Sequence, residues 1–235
     1  LLILIVNTRM ALFDSLACFL VVFAYDVFSK YNFKSALKWI SILLTVLLAV
    51  FVLYLQQNSY MREKYFNVTF KHMDKIGKLD EVENPELEVF NSFVTRVSIW
   101  KSALELSVKN LPMGVGASDA KPELFKYYKQ TNQKFLAKWN FPTHNQYIDY
   151  MLRYGILGII VVFGYIFLSG FIGFKMKNSI MMSFFIIFFT CNIMDDYLIL
   201  FQGIAFGGFW LSIFMSFYLI EKPQNNRAHS LNESR

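Results

Sequence analysis

Five stretches of this 235-residue chain are apolar for long enough to cross a membrane, and no other feature narrows the possible folds as much. A helix needs about 20 residues to traverse a hydrocarbon core of about 30 Å. The stretches lie near residues 9 to 29, 36 to 55, 146 to 170, 178 to 194 and 197 to 220, the fourth being short and rich in Phe. Apolar residues make up 55% of the chain, and charged residues reach only 17%, against about 25% in a soluble domain. The opening run Leu1-Leu2-Ile3-Leu4-Ile5-Val6 has neither an initiator Met nor a basic flank. It reads as the tail of a truncated helix and not as a signal peptide. Cys18 and Cys191 both fall in apolar segments, where thiols pack as small hydrophobes. The expected fold class is therefore all-α: a polytopic membrane protein of about five transmembrane helices with a long extracytoplasmic loop that carries amphipathic helices. Residues 1–55 are expected to hold the tail of one span and two full spans, 56–145 the loop, 146–220 three spans, and 221–235 a cytoplasmic tail.

Orientation follows from Lys and Arg in the short connections, because translocation disfavours positive charge there. Lys30, Lys34 and Lys38 follow the first span, and Lys175 and Lys177 follow the third. Those connections are expected to be cytoplasmic. The opposite side then receives Arg9, the Asp195-Asp196 connection and the long loop. Within the loop, Phe93, Val97, Trp100, Leu104, Val108 and Leu111 recur at steps of three and four, which marks an amphipathic helix ended by Asn110-Leu111-Pro112. A second helix is expected from Pro122 to about Trp139, where Leu124, Phe125, Tyr128, Phe135 and Leu136 alternate with lysines. Such a helix suits a membrane surface with anionic head groups.

Three features on the loop side are suited to chemistry. Thr143 followed by Gln146 fits a capping box, which would make His144 and Asn145 the first residues of the third span. Backbone N–H groups and the positive end of the helix dipole converge there, favouring an anion such as phosphate and a neutral imidazole. A neutral imidazole is what a general base requires; an ordinary interfacial histidine is the competing reading of the same residue. Arg9 stands at the start of an apolar span, where the dipole disfavours a cation and invites a compensating anion. Snorkelling at the membrane surface is its other reading. Arg96 lies one turn before Trp100, at the edge of the apolar stripe. It can fork onto phosphate with a planar geometry that lysine lacks, or pair with one of the loop's acids.

The motifs acquire a common meaning through resemblance. Asn7-Thr8-Arg9-Met10-Ala11-Leu12, then Arg96-Val97-Ser98-Ile99-Trp100-Lys101-Ser102-Ala103-Leu104 with Pro112-Met113-Gly114-Val115-Gly116, then His144-Asn145-Gln146-Tyr147-Ile148 with Gly155-Ile156-Leu157-Gly158, resemble in order and spacing the motifs of the O-antigen ligase and polysaccharide polymerase family. The resemblance implies a metal-independent enzyme of the bacterial inner membrane that acts on the periplasmic face in cell-surface polysaccharide synthesis. Its donor would be an undecaprenyl-diphosphate-linked glycan, and its acceptor a glycan, a lipid A core or a protein. Membrane lipids are its other expected partners; no nucleic acid and no cofactor are expected. By position, His144 would be catalytic, taking a proton from the acceptor hydroxyl. Arg9, Arg96 and Asn145 would hold the lipid diphosphate.

Two departures stand out. Ala117-Ser118 follow Gly116 where the family often has another glycine, and Arg153 occupies a position that is often acidic. Asp149, four residues before Arg153, offers it an intrahelical ion pair. Asp195-Asp196 is disfavoured as a metal site, because neighbouring helical residues diverge by about 100° and no acidic partner lies nearby in sequence. The alternatives to an enzyme are a transporter of lipid-linked glycan and a non-catalytic assembly partner.

Overall fold

The computed structural model describes residues 9–63 and 69–233, with the side chains of residues 9, 60, 61 and 221–233 outside that description. The regular structure of the described residues is all helical, with no β-strand. The main helices are α1 (Arg9–Lys30), α2 (Phe33–Gln57), α3 (Phe93–Lys109), α4 (Ala120–Gln130), α5 (Lys134–Trp139), α6 (Gln146–Lys175), α7 (Ser179–Met194) and α8 (Phe201–Glu233). Four segments, Met10–Lys30, Phe33–Gln57, Gln146–Lys175 and Phe201–Ile220, are long and apolar enough to cross a membrane. The fifth expected span, α7, is apolar but only 16 residues long. The chain is an integral membrane protein. It divides into two compact units, one made of residues up to Ala36 with Gly164–Asn192 and the chain from Tyr197 onward, the other of Leu37–Phe163 with Ile193–Asp196.

The first unit packs by aromatic side chains against small residues, as helices do where lipid supplies no hydrophobic drive for association. Phe184 stacks on Phe188 and meets Phe206 and Phe214 at ring distances of 5.2 to 5.5 Å. Gly207 is what lets Phe188 in, because a Cβ there would lie 2.6 Å from the ring. Asp14, in the middle of an apolar helix, is buried and accepts a 2.6 Å hydrogen bond from the Thr190 hydroxyl.

The second unit has a compact core under the long loop, in which Val94, Ile99, Ala103 and Leu106 of α3 meet Leu124 and Tyr128 of α4, Phe135 and Leu136 of α5, and Ile148 and Leu152 of α6. Ser92 caps α3 by accepting from the Thr95 amide at 3.3 Å. The face that α3 buries is rich in small residues. Ser98, Ser102 and Ser107 all lie on it, their hydroxyls satisfied by carbonyls one turn back. The Ser98 hydroxyl also accepts from the Gly77 amide, and Ser102 shares its one hydroxyl proton between the Ser98 carbonyl and the Gln133 side-chain oxygen. The stripe read from the sequence is divided: Phe93, Val97 and Trp100 are half-buried, Trp100 packing against this core, while Leu104 and Val108 are exposed.

The helix expected over 122–139 is two helices, α4 and α5, separated at residues 131–133. Asn132 takes a left-handed conformation there, with φ 62°. Leu124, Tyr128, Phe135 and Leu136 face the core of the loop, so this apolar surface is not available to a membrane.

α6 is broken at Gly155, whose φ of 60° and ψ of −136° lie in a region open to glycine and closed to other residues. An interrupted helix frees backbone groups that must find partners. Here the segment after α3 supplies them. Val115 and Gly116 donate to the carbonyls of Leu152 and Arg153 at 2.8 and 3.0 Å, and the Ile156 amide donates to the Pro112 carbonyl at 3.0 Å. Gly114 and Gly155 allow this approach, since a Cβ on Gly155 would stand 1.9 Å from the Pro112 oxygen.

Candidate functional site

The start of α6 differs from the capping box expected of the sequence. Residues 141–145 are non-helical and α6 begins at Gln146. His144 adopts φ 47°, in the left-handed region that histidine tolerates better than most residues. A helix cannot run through that conformation, so the cap moves to Asn145. Its side-chain oxygen accepts from the Ile148 amide at 3.1 Å, and its carbonyl accepts from the Asp149 amide at 2.9 Å. Thr143 is buried and turns its hydroxyl to Asp149 instead, at 3.4 Å. Asn145 thus has a structural task at the position expected to hold diphosphate. His144 projects from the loop just before the helix and is not one of its first residues.

The loop brings the His144 ring to the Ile193–Asp196 segment. Nδ1 lies 3.1 Å from an oxygen of Asp195 and 4.0 Å from one of Asp196. The Asp195 carboxyl is held well below the usual carboxylate range, first by its hydrogen bond with His144, with lesser help from the side chain and amide of Asp196. Asp196 is shifted the other way, by burial and then by the neighbouring Asp195. An ionised carboxylate can only accept, so the proton on this contact belongs to Nδ1, and Nε2 is left as the basic nitrogen. The His144 side chain keeps 29% of its surface exposed, enough to meet a substrate.

Arg96 reaches the same segment from α3. Its guanidinium donates to the carbonyl of Met194, the last residue of α7. An arginine is favoured there, both for the unpaired carbonyls of a helix end and for its dipole. One turn along, the Trp100 indole donates to the His144 carbonyl at 3.3 Å, so the Arg96–Trp100 face of α3 holds the histidine loop as well. Arg96 and His144, 48 positions apart in sequence, therefore meet on residues 194–196. Arg9 begins α1, but its side chain lies outside the described residues. Arg153 makes the expected ion pair with Asp149 and also donates to the Ala117 carbonyl.

Asp195 and Asp196 are the residues that the sequence reasoning undervalued. The divergence argued for neighbouring helical residues does not apply, because this pair lies between α7 and the turn at Tyr197–Ile199, outside any helix. His144 is moreover a partner 51 positions away that spacing could not reveal. The available signal was topological, since span counting already put the Asp pair on the same side as His144. His144, Asp195 and Asp196 each present a ligand atom, all within 4.8 Å of one another, which is a donor set that a divalent cation can use. Read without a cation, the same three groups form a base with an orienting acid.

Residues 1–163 match the family model described as O-antigen ligase. No curated protein and no solved structure matches the chain.

Proposed function

The chain belongs to the O-antigen ligase family, and from that premise of glycan transfer at a membrane we propose that His144 is the general base of a transfer from a lipid-diphosphate-linked glycan. The observation that carries this is the Nδ1 contact with ionised Asp195. It fixes the tautomer, leaves Nε2 free to take a proton and stabilises the imidazolium that results. In the proposed step Nε2 takes the proton of an acceptor hydroxyl, and the acceptor oxygen forms a bond to the anomeric carbon of the donor sugar. The bond from that carbon to the diphosphate breaks, and the lipid diphosphate leaves with its electron pair. Arg96, already at residues 194–196, and Arg9 neutralise the departing charge. Asn145 acts by setting the helix start behind His144, where backbone N–H groups face an anion. Undecaprenyl diphosphate is the proposed carrier, and a glycan, lipid A core or protein the proposed acceptor. The proposed location is the bacterial inner membrane, with the 56–145 loop and the site on the periplasmic face. No metal enters this step.

A transport role is less well supported. Transporters use broken helices whose freed backbone lines a path near the bilayer midplane, whereas the break in α6 is filled by the backbone of residues 112–116. Glycan analysis of a strain lacking the gene tests the reading. Unattached long chains indicate a ligase and single repeats a polymerase, while unchanged surface polysaccharide contradicts transfer.

A further inference from the structure

The C-terminal half of the apolar stripe of α3 is turned away from the core of its own unit. Leu104 and Val108 are 40% and 60% exposed, and Leu111 and Met113, which follow the helix, are 38% and 79% exposed. Leu104 and Val108 stand one turn apart on the helix and Leu111 and Met113 follow directly in the chain, and such a run of exposed large apolar side chains marks an interaction surface. Of the charged residues beside it, Lys101 extends over Gly77, and Glu105 and Lys109 are turned to Tyr127, which donates to Glu105 at 2.8 Å and lies under the Lys109 ammonium at 4.8 Å.

The position of this run says what covers it. Its end is fastened to α6, because the Pro112 carbonyl accepts from the Ile156 amide. From Ile156 to Lys175 the helix runs 20 residues, about 30 Å at 1.5 Å per residue, which is the thickness of a hydrocarbon core. The break at Gly155 therefore falls at the boundary between hydrocarbon and head groups, and the residues bonded to it sit at that depth. Ile156 and Leu157, which open the membrane-crossing part of α6, are 48% and 66% exposed.

We propose that the ridge Leu104–Val108–Leu111–Met113 is inserted into the acyl region of the loop-side leaflet, so that the end of α3 is anchored by bilayer lipid. The α4–α5 helices, whose apolar faces are consumed by the core of the loop, stay in water. This surface goes beyond glycan transfer and does not depend on it, since an inactive chain would insert in the same way.

Single cysteines placed at 108 and 113 in a chain with Cys18 and Cys191 replaced, labelled with a small fluorophore and reconstituted in phosphatidylcholine vesicles, test the proposal. Positions 157 and 129 serve as the lipid and water references, Lys129 being exposed on α4. Labels at 108 and 113 should lose most of their emission to brominated lipid and little to aqueous iodide, as at 157, while 129 shows the reverse. Quenching by iodide and not by brominated lipid at 108 and 113 would overturn the proposal, because the ridge would then face water. Protection from both quenchers would overturn it as well, because protein would then cover the ridge, whether a second copy or another partner.

Discussion

Replacing Gly155 with alanine attacks the joint between the loop and the broken helix. The new Cβ would stand 1.9 Å from the Pro112 oxygen and 2.5 Å from its carbon, both backbone atoms that no rotamer change can move. The native φ of 60° and ψ of −136° would also be denied to the residue, at a cost of about 1–3 kcal/mol. The chain has a cheaper route. α6 can straighten through position 155, re-forming its own Ile156-to-Leu152 bond and expelling residues 112–116. Three hydrogen bonds between the segment and α6 are then lost and one is regained within the helix, a net loss of two at about 1 kcal/mol each. That is about 2 kcal/mol, or roughly 30-fold in the opening equilibrium of the segment. Hydrogen exchange read by mass spectrometry reports such local opening. In Gly155→Ala the amides of Val115 and Gly116 should exchange roughly 30-fold faster, while that of Ile156 stays protected within the straightened helix. Gly164→Ala is the control, because nothing lies within 4 Å of its added Cβ, and it should leave exchange at 115 and 116 unchanged. Native exchange rates at both amides in Gly155→Ala would refute the reasoning.

Arg96→Ala should abolish transfer while the protein still inserts, and Arg96→Lys should restore only part of the rate, because a point charge replaces the planar fork; equal activity in the two variants would remove the fork from the argument. Trp100→Phe keeps an aromatic ring, though a smaller one, and deletes the bond to the His144 carbonyl, about 1 kcal/mol, and should slow transfer by roughly 5-fold with little change in donor binding. Acid melts of the detergent-solubilised protein should separate the two acids of the site. The depressed Asp195 contributes stability that is present above its unfolded value of about 4 and is lost as pH falls through its lower folded value, so Asp195→Asn should destabilise at neutral pH and flatten the acid limb. Asp196 is raised, so its ionisation opposes folding above the usual carboxylate range, and Asp196→Asn should raise the melting temperature at pH 7.

Hydropathy alone carried the helical membrane architecture, because apolar runs such as 36 to 55 have few other fates in water or lipid. Periodicity located α3 but not the side it buries. The unit packs α3 through Ser98, Ser102 and Ser107, whose small size and satisfied hydroxyls allow close approach, and a hydrophobicity pattern gives such residues no weight. At the histidine, the pattern from Thr143 to Gln146 suggested a cap one turn geometry could accept. The left-handed His144 shifted the cap to Asn145, and a single sequence carries little sign of that choice. His144 and Arg96 were legible as separate motifs. Their meeting on residues 194–196 was not, because it depends on how α7 ends and where the Asp pair points.

The central claim, that His144 accepts the acceptor's proton, is tested most directly by the transfer rate of His144→Gln in purified, reconstituted protein supplied with a lipid-diphosphate-linked glycan and an acceptor. Glutamine keeps hydrogen bonding but accepts no proton at neutral pH, so the rate should fall by roughly 10²-fold or more, as in His144→Ala, with donor binding largely retained and with EDTA changing neither variant nor the parent. A glutamine variant that transfers at the parent rate would reduce His144 to a positioning residue, and EDTA-sensitive transfer by the parent would replace the base by a cation held among His144, Asp195 and Asp196.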